Sequence, residues 1–171
     1  LLINNAIHPG EPDGVEASMM LARDLLENSS ASDAVLDKAV IAIIPFYNIG
    51  GVLNRNSHTR TNQNGPKSYG FRGNARHYDL NRDFIKADTR NAQSFAELFQ
   101  ELDPDLFIDT HTSNGADYQY VLTIIPTQKD KLGGPLATYL DKRMMPFLFD
   151  HMGKSPYEMT PYVNSMGRTP D

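Results

Sequence analysis

Leu1-Leu2-Ile3-Asn4-Asn5-Ala6-Ile7-His8-Pro9-Gly10-Glu11 opens the chain, and its reading decides the fold. The apolar run Leu1-Leu2-Ile3 predicts the end of a buried strand. Pro9 and Gly10 then forbid simple continuation of that strand or an immediate helix, so the chain bends where His8 and Glu11 stand three residues apart. Such a loop can turn an imidazole and a carboxylate toward one point. Zinc accepts neutral His nitrogen and carboxylate oxygen, and a catalytic site takes three protein ligands with one position left over. A third ligand has to come from elsewhere in the chain.

Composition narrows what that ligand is. At 171 residues the chain fits one domain, 1–171, with enough length to bury a core. Sixteen Lys and Arg stand against 21 Asp and Glu, a formal charge of −5 with no long basic run, which argues against nucleic acid as a partner. The absence of cysteine removes disulfides, thiolate nucleophiles and Cys-based zinc sites, so any metal must use His, Asp or Glu. No apolar run reaches membrane-spanning length, and no signal-peptide pattern opens the chain. The first residue is Leu, in a run that reads as a strand, while the last lies in a Pro-containing irregular segment. The expectation is therefore a piece of a longer protein, truncated at its C-terminus. A secreted or periplasmic parent, with its signal segment outside this stretch, is expected.

After the opening loop, Val15, Met19, Ala22, Leu25 and Leu26 fall at helical spacing and predict a helix over 15–26, with Asp13 as N-cap and Asn28-Ser29-Ser30 closing it. Ala39-Val40-Ile41-Ala42-Ile43-Ile44 is a nearly continuous apolar run that suits a strand covered on both faces. From Tyr47 to Tyr78 the pattern dissolves into a long loop, a length that is usually functional or disordered. Thr89 to Leu102 is an amphipathic helix that stops before Pro104. Leu106-Phe107-Ile108 is a short buried strand running into Asp109-Thr110-His111. Tyr118 to Ile125 reads as a further strand. Gly134 to Asp150 reads as a helix with a kink at Pro146, and no period is visible from Gly153 onward.

Strands alternating with helices predict an α/β fold with an open sheet, whose ligand sites lie beyond the carboxyl ends of the strands. Three polar clusters fall there: His8 with Glu11 after the first strand, Asn48 and the long loop after the second, and Asp109 with His111 at the end of the third. This convergence nominates His8, Glu11 and His111 as one zinc triad. A catalytic zinc polarises a carbonyl and acidifies water, so the implied reaction is hydrolysis. Asp109, two positions before His111, shares its face of an extended strand and can orient it. His58, His77 and His151 lack such context and read as surface histidines. The other dense cluster, Phe71 to Phe84, carries Arg72, Asn81 and Arg82, whose donors suit an anionic substrate group or a developing oxyanion.

His8-Pro9-Gly10-Glu11, Arg72, Asp79-Leu80-Asn81-Arg82 and Asp109-Thr110-His111 together resemble the M14 zinc carboxypeptidases, in order and at workable spacing over residues 1 to 125. The resemblance implies an open mixed sheet with helices on both faces and one zinc ion bound by His8, Glu11 and His111. It also implies that Asp79 supports His8 from behind, that Arg72 polarises the scissile carbonyl, and that Asn81 and Arg82 hold the free C-terminal carboxylate of a peptide or peptide-like substrate. The family's general-base Glu and capping Tyr come late, and neither is assigned here. Glu158, the one Glu after His111, and Tyr157 and Tyr162 sit in an irregular Pro-flanked stretch. This piece alone is therefore expected to be inactive. Asp79-Leu80-Asn81-Arg82 fits a second group of zinc hydrolases about as well, the deacylases of N-acyl amino acids resembling aspartoacylase and succinylglutamate desuccinylase. A non-catalytic module that binds peptide termini is the third reading.

Overall fold

The computed structural model describes residues 1–27, 34–60, 63, 65–113 and 118–162. They form two compact units, Leu1–Ser113 and Asn114–Asp171. The architecture is α/β, with helices and small parallel sheets. Among the described residues no helix is long and apolar enough to cross a membrane.

In the first unit, strand β1 (Leu2–Asn4) is the centre of a three-stranded sheet. It pairs in parallel with β2 (Ala42–Ile44) on one side and with β5 (Phe107–Asp109) on the other, with Ile3 opposite both Ile43 and Ile108. A parallel sheet sends all its strands out at one edge, so the chain leaves Asn4, Ile44 and Asp109 on the same side. Having a neighbour on each flank, β1 is fully buried, as the opening apolar run predicted. The flanking strands differ from expectation. The run from Ala39 pairs only over Ala42–Ile44 and is half-buried, with Val40 80% exposed, and Phe107 and Ile108 are also exposed. Each of these strands has one strand neighbour among the described residues, so neither is covered as a central strand would be.

Helix α1 (Asp13–Glu27) begins at Asp13 itself, which is its first residue rather than a cap ahead of it. Val15 and Ser18 are buried, whereas Met19 and Leu26 of the apolar stripe are exposed. The expected closure at Asn28-Ser29-Ser30 lies outside the described residues. The long loop after Tyr47 holds local structure that its composition concealed: helix α2 (Ile49–Leu53) and an antiparallel pair, β3 (Arg55–Asn56) with β4 (Tyr69–Gly70). Asn48 caps α2 by accepting from the Gly51 N–H at 2.9 Å.

Helix α3 (Arg90–Leu102) starts where Thr89 Oγ1 accepts from the Ala92 N–H, and ends at Asp103, whose φ of 39° is left-handed. Pro104 follows, and a residue before proline is disfavoured in the α region, so the helix stops there. The core joins Leu2, Ile7, Tyr47, Leu80 and Phe95, with Ala42, Ile44 and Phe99 packed against it. Phe95 meets Tyr47, Phe84 and Phe107 at ring separations of 5.5, 5.2 and 5.7 Å, within the range of favourable aromatic pairs.

The second unit pairs β6 (Leu122–Ile124) in parallel with β7 (Met159–Pro161), a strand that the aperiodic tail did not reveal. Between them lie short helices α4 (Lys129–Leu132) and α5 (Gly134–Tyr139), a π-helical stretch at Leu140–Met144, and α6 (Met145–Met152). The predicted helix is thus present, and its distortion falls in the turn just before Pro146. Pro146 cannot donate to the ladder and its ring crowds the carbonyl four residues back, so the preceding turn widens. The Met145 N–H reaches back five residues to the Leu140 carbonyl.

Asp83 holds the loop before α3 in place. It is 3% exposed and accepts from the Asp88 N–H at 2.9 Å, the Thr89 N–H at 2.9 Å and the Thr89 hydroxyl at 2.6 Å. The Thr89 hydroxyl, against the opposing effect of burial and with help from the two backbone N–H groups, lowers the Asp83 pKa. A carboxylate whose pKa is lowered by folding stabilises the fold above its unfolded value of about 3.9, and that stability is lost as pH falls through the folded value. Asp83→Asn should therefore cost about 1.5–3 kcal/mol at neutral pH and flatten the loss of stability in acid. Urea denaturation across pH checks this, and an unchanged midpoint at pH 7 would contradict it.

Candidate metal centre

The site grows from the way β1 ends. Asn5 and Ala6 are held against the end of β2, where the Tyr47 N–H donates to the Asn5 carbonyl at 2.9 Å and the Asn48 N–H to the Ala6 carbonyl at 3.2 Å. Ala6 takes a left-handed φ of 56°, which costs a non-glycine residue about 1–2 kcal/mol. The turn it makes is sealed by Asn48, whose side-chain amide donates to the Ile7 carbonyl at 3.0 Å and to the Arg72 carbonyl at 3.1 Å. One buried amide thus ties the His8 loop to the Arg72 loop. The loop then closes on itself, the Glu11 N–H donating to the His8 carbonyl at 2.9 Å.

This folding brings His8, Glu11 and His111 together, with one ligand atom from each lying within 4.8 Å of the others. His8 Nδ1 is 3.0 Å from Glu11 Oε1, and His111 Nδ1 is 3.1 Å from Glu11 Oε2. Donors about 2.0–2.1 Å from one tetrahedral zinc stand roughly 3.4 Å apart, so the donor set and its spacing fit zinc. The remaining ring nitrogens are bonded to carboxylates: His8 Nε2 to Asp79 at 3.1 Å and His111 Nε2 to Asp109 at 2.8 Å. That arrangement fixes the tautomer of a ligating imidazole and presents Nδ1 to a metal. His8 and Glu11 are sealed, each 3% exposed, whereas the His111 side chain is 30% exposed. The triad is open to solvent on the His111 side.

Each support is itself supported. Asp109 also accepts from Asn4 Nδ2 at 3.0 Å. Asp79 caps a 3₁₀ turn at Leu80–Arg82, accepting from the Asn81 N–H at 3.0 Å, and pairs with Arg72 through Nη2 at 2.9 Å. Arg72 Nη1 comes within 3.5 Å of His8 Nδ1. Asn81 is half-buried and Arg82 exposed, the latter donating to the Asn81 carbonyl at 2.9 Å. They lie two and three positions after Asp79, the residue that touches His8, although neither side chain is bonded into the triad. His58, His77 and His151 are exposed, as expected.

Charge in the triad is strongly coupled. Burial pushes the Glu11 carboxyl up, but hydrogen bonds from His111 and His8, the charge on His8 and the Thr112 N–H outweigh it and hold the group well below the usual range. Burial pushes His111 down, and the bonds to Asp109 and Glu11 with their charges overcome it, raising the imidazole to about 9. Asp79 is lowered, its burial being offset by His8 and Arg72. A metal ligates neutral imidazole, so metal uptake by this triad is coupled to proton release.

Sequence reasoning missed Arg60, which is 8% exposed and places Nη2 2.9 Å from Glu11 Oε1. It also missed the backbone N–H of Thr112, 3.0 Å from Glu11 Oε2. Arg60 sits in a polar loop with no periodicity to mark it. Thr112, one residue beyond His111, was recoverable from the strand end.

The zinc carboxypeptidase family, Peptidase M14, matches residues 1–124. Carboxypeptidase 2 of Trichophyton rubrum is 27% identical over 109 residues, which cover 64% of this chain and 18% of that protein. Carboxypeptidase 2 of Trichophyton tonsurans is 28% identical over 109 residues, and probable carboxypeptidase 2 of Arthroderma benhamiae 27%, with the same coverage. The chain thus spans less than a fifth of the length of these relatives. No solved structure matches. Carrying the family's match across the whole of the first unit, where the triad and its supports lie, the chain belongs to the M14 zinc carboxypeptidases.

Proposed function

We propose that this chain is the metal-binding part of one catalytic domain that hydrolyses the C-terminal amide bond of peptides or peptide-like substrates, using one zinc ion held by His8, Glu11 and His111. The observation that carries this reading is the joining of the triad to Arg72 through Asp79. Asp79 bonds His8 at 3.1 Å and Arg72 at 2.9 Å, so a ligand imidazole and a carbonyl-polarising guanidinium share one anchor. A zinc ion at the triad supplies Lewis acidity toward a carbonyl and toward water. The remaining work belongs to side chains. Arg72, within 3.5 Å of His8 Nδ1, is close enough to the metal's place to polarise the scissile carbonyl. Asn81 and Arg82 are proposed to hold the terminal carboxylate. Arg82 supports this by its exposure and by the single donor it spends on the Asn81 carbonyl, which leaves most of a five-donor guanidinium for a ligand.

Little or no turnover by this chain alone is part of the proposal. Amide hydrolysis needs a group to take water's proton and deliver it to the leaving nitrogen, an assistance worth about a hundredfold to ten-thousandfold. Glu158, the one glutamate after His111, is exposed and belongs to the second unit.

The experiment is peptide binding by the zinc-loaded chain, measured by calorimetry with free and amidated C-termini and with N-acyl amino acids for comparison. The free carboxylate should bind more tightly, and Arg82→Ala should erase that preference, a loss of about ten- to a hundredfold for a charged hydrogen bond of 1.5–3 kcal/mol. Equal affinity for free and amidated peptides would contradict the clamp. Preference for N-acyl amino acids over peptides would favour the deacylase reading.

A further inference from the structure

We propose that Arg60 is a positioning residue for the ligand Glu11, and that Arg60, Gln63 and Thr112 form a bracket that fixes the Glu11 carboxylate for the metal. This rests on the metal reading of the triad. When His8 Nδ1 and His111 Nδ1 turn their lone pairs to the ion, they no longer donate to the carboxylate. Each Glu11 oxygen is then left with one other partner. Oε1 has Arg60 Nη2 at 2.9 Å, and Oε2 has the Thr112 N–H at 3.0 Å. Gln63 connects the two, accepting from Arg60 Nε at 2.7 Å and donating to Thr112 Oγ1 at 2.9 Å. The circuit closes around the carboxylate.

Arg60 is built into this place. Its backbone N–H donates to the Tyr69 hydroxyl at 2.9 Å, and its side chain is 7% exposed. Its aliphatic stem lies against Gly10, where a Cβ would collide with Arg60 Cδ. Gly10 is thus required for a second reason besides the bend: it leaves room for the guanidinium to reach its neighbour Glu11. A buried guanidinium is costly unless paired, and here it is paired with the carboxylate the metal also uses. Partners that hold a ligand from outside typically change metal affinity by about 10–100-fold when removed.

The test measures zinc affinity by competition with a chromophoric chelator, together with the visible absorption of the cobalt-substituted chain, which reports ligand geometry independently of turnover. Arg60→Ala should weaken zinc by about 10–100-fold and alter the cobalt spectrum. Arg60→Lys, which keeps the charge without the fork, should fall between. Phe99→Ala, which removes packing against Phe95 and Phe107 and touches no residue of the bracket, should leave both readouts as in the wild type. An Arg60→Ala affinity within twofold of wild type, or a tighter site from loss of a nearby positive charge, would overturn the proposal. Should Arg60→Ala not fold, Gln63→Ala decides: a severalfold weaker site is expected, and an unchanged one overturns the bracket. His111→Ala separates this failure from failure of the triad. If it loses zinc while Arg60→Ala keeps it, the bracket alone is wrong, and if it holds zinc like the wild type, triad and bracket fall together.

Discussion

The structure depends on the burial of one carboxylate. Glu11 is 3% exposed, and an ionised group withdrawn from water is costly unless charged or hydrogen-bonding partners surround it. Here the partners come from three separate segments of the first unit: His8 from the same loop, Arg60 from the segment between β3 and β4, and His111 and Thr112 from the end of β5. Residues 100 positions apart are thereby held within hydrogen-bonding distance. Those interactions fit the first unit together as much as they form a site. The same placement leaves two imidazoles and a carboxylate close enough together to hold a cation.

The backbone makes this placement possible by topology rather than by sequence proximity. Because β1 pairs in parallel on both sides, the chain emerges from all three strands at one edge. What remains is to aim the side chains. Ala6 adopts a left-handed conformation to turn the loop, and buried Asn48 stitches that loop to the Arg72 segment. Asp79 and Asp109 then fix the two imidazoles from behind. Strain at Ala6 and burial of Asn4, Asn5 and Asn48 oppose folding, and they persist because the aromatic core around Phe95 and the hydrogen bonds of these amides offset them.

Much of this was legible in the sequence, and the reasons differ by residue. Leu1-Leu2-Ile3, followed by the bend at Pro9-Gly10, marked both a buried strand and the start of the site, though not the strand's central place in the sheet. Asp109-Thr110-His111 marked a second approach, because a strand end leaves a local signature, whereas the role of Asp79 was legible only through the resemblance to a known family. Thr89 and Pro104 bounded α3 through local signatures as well. Burial was less legible: a β-branched run such as Ala39 to Ile44 has the same composition whether one or both of its sides are covered. The π-helical turn was visible only as a proline, and β7 not at all, since three residues carry no period. Arg60 escaped because long-range pairing of a loop side chain leaves no local trace.

The central claim is that His8, Glu11 and His111 form one metal centre that presents two imidazole nitrogens and a carboxylate to zinc. X-ray absorption at the zinc edge of the metal-loaded chain tests it most directly. The account predicts one zinc per chain, with two imidazole nitrogens at about 2.0–2.1 Å and carboxylate oxygen at about 2.0–2.2 Å. A bound zinc whose spectrum lacks the scattering of two imidazoles would contradict it.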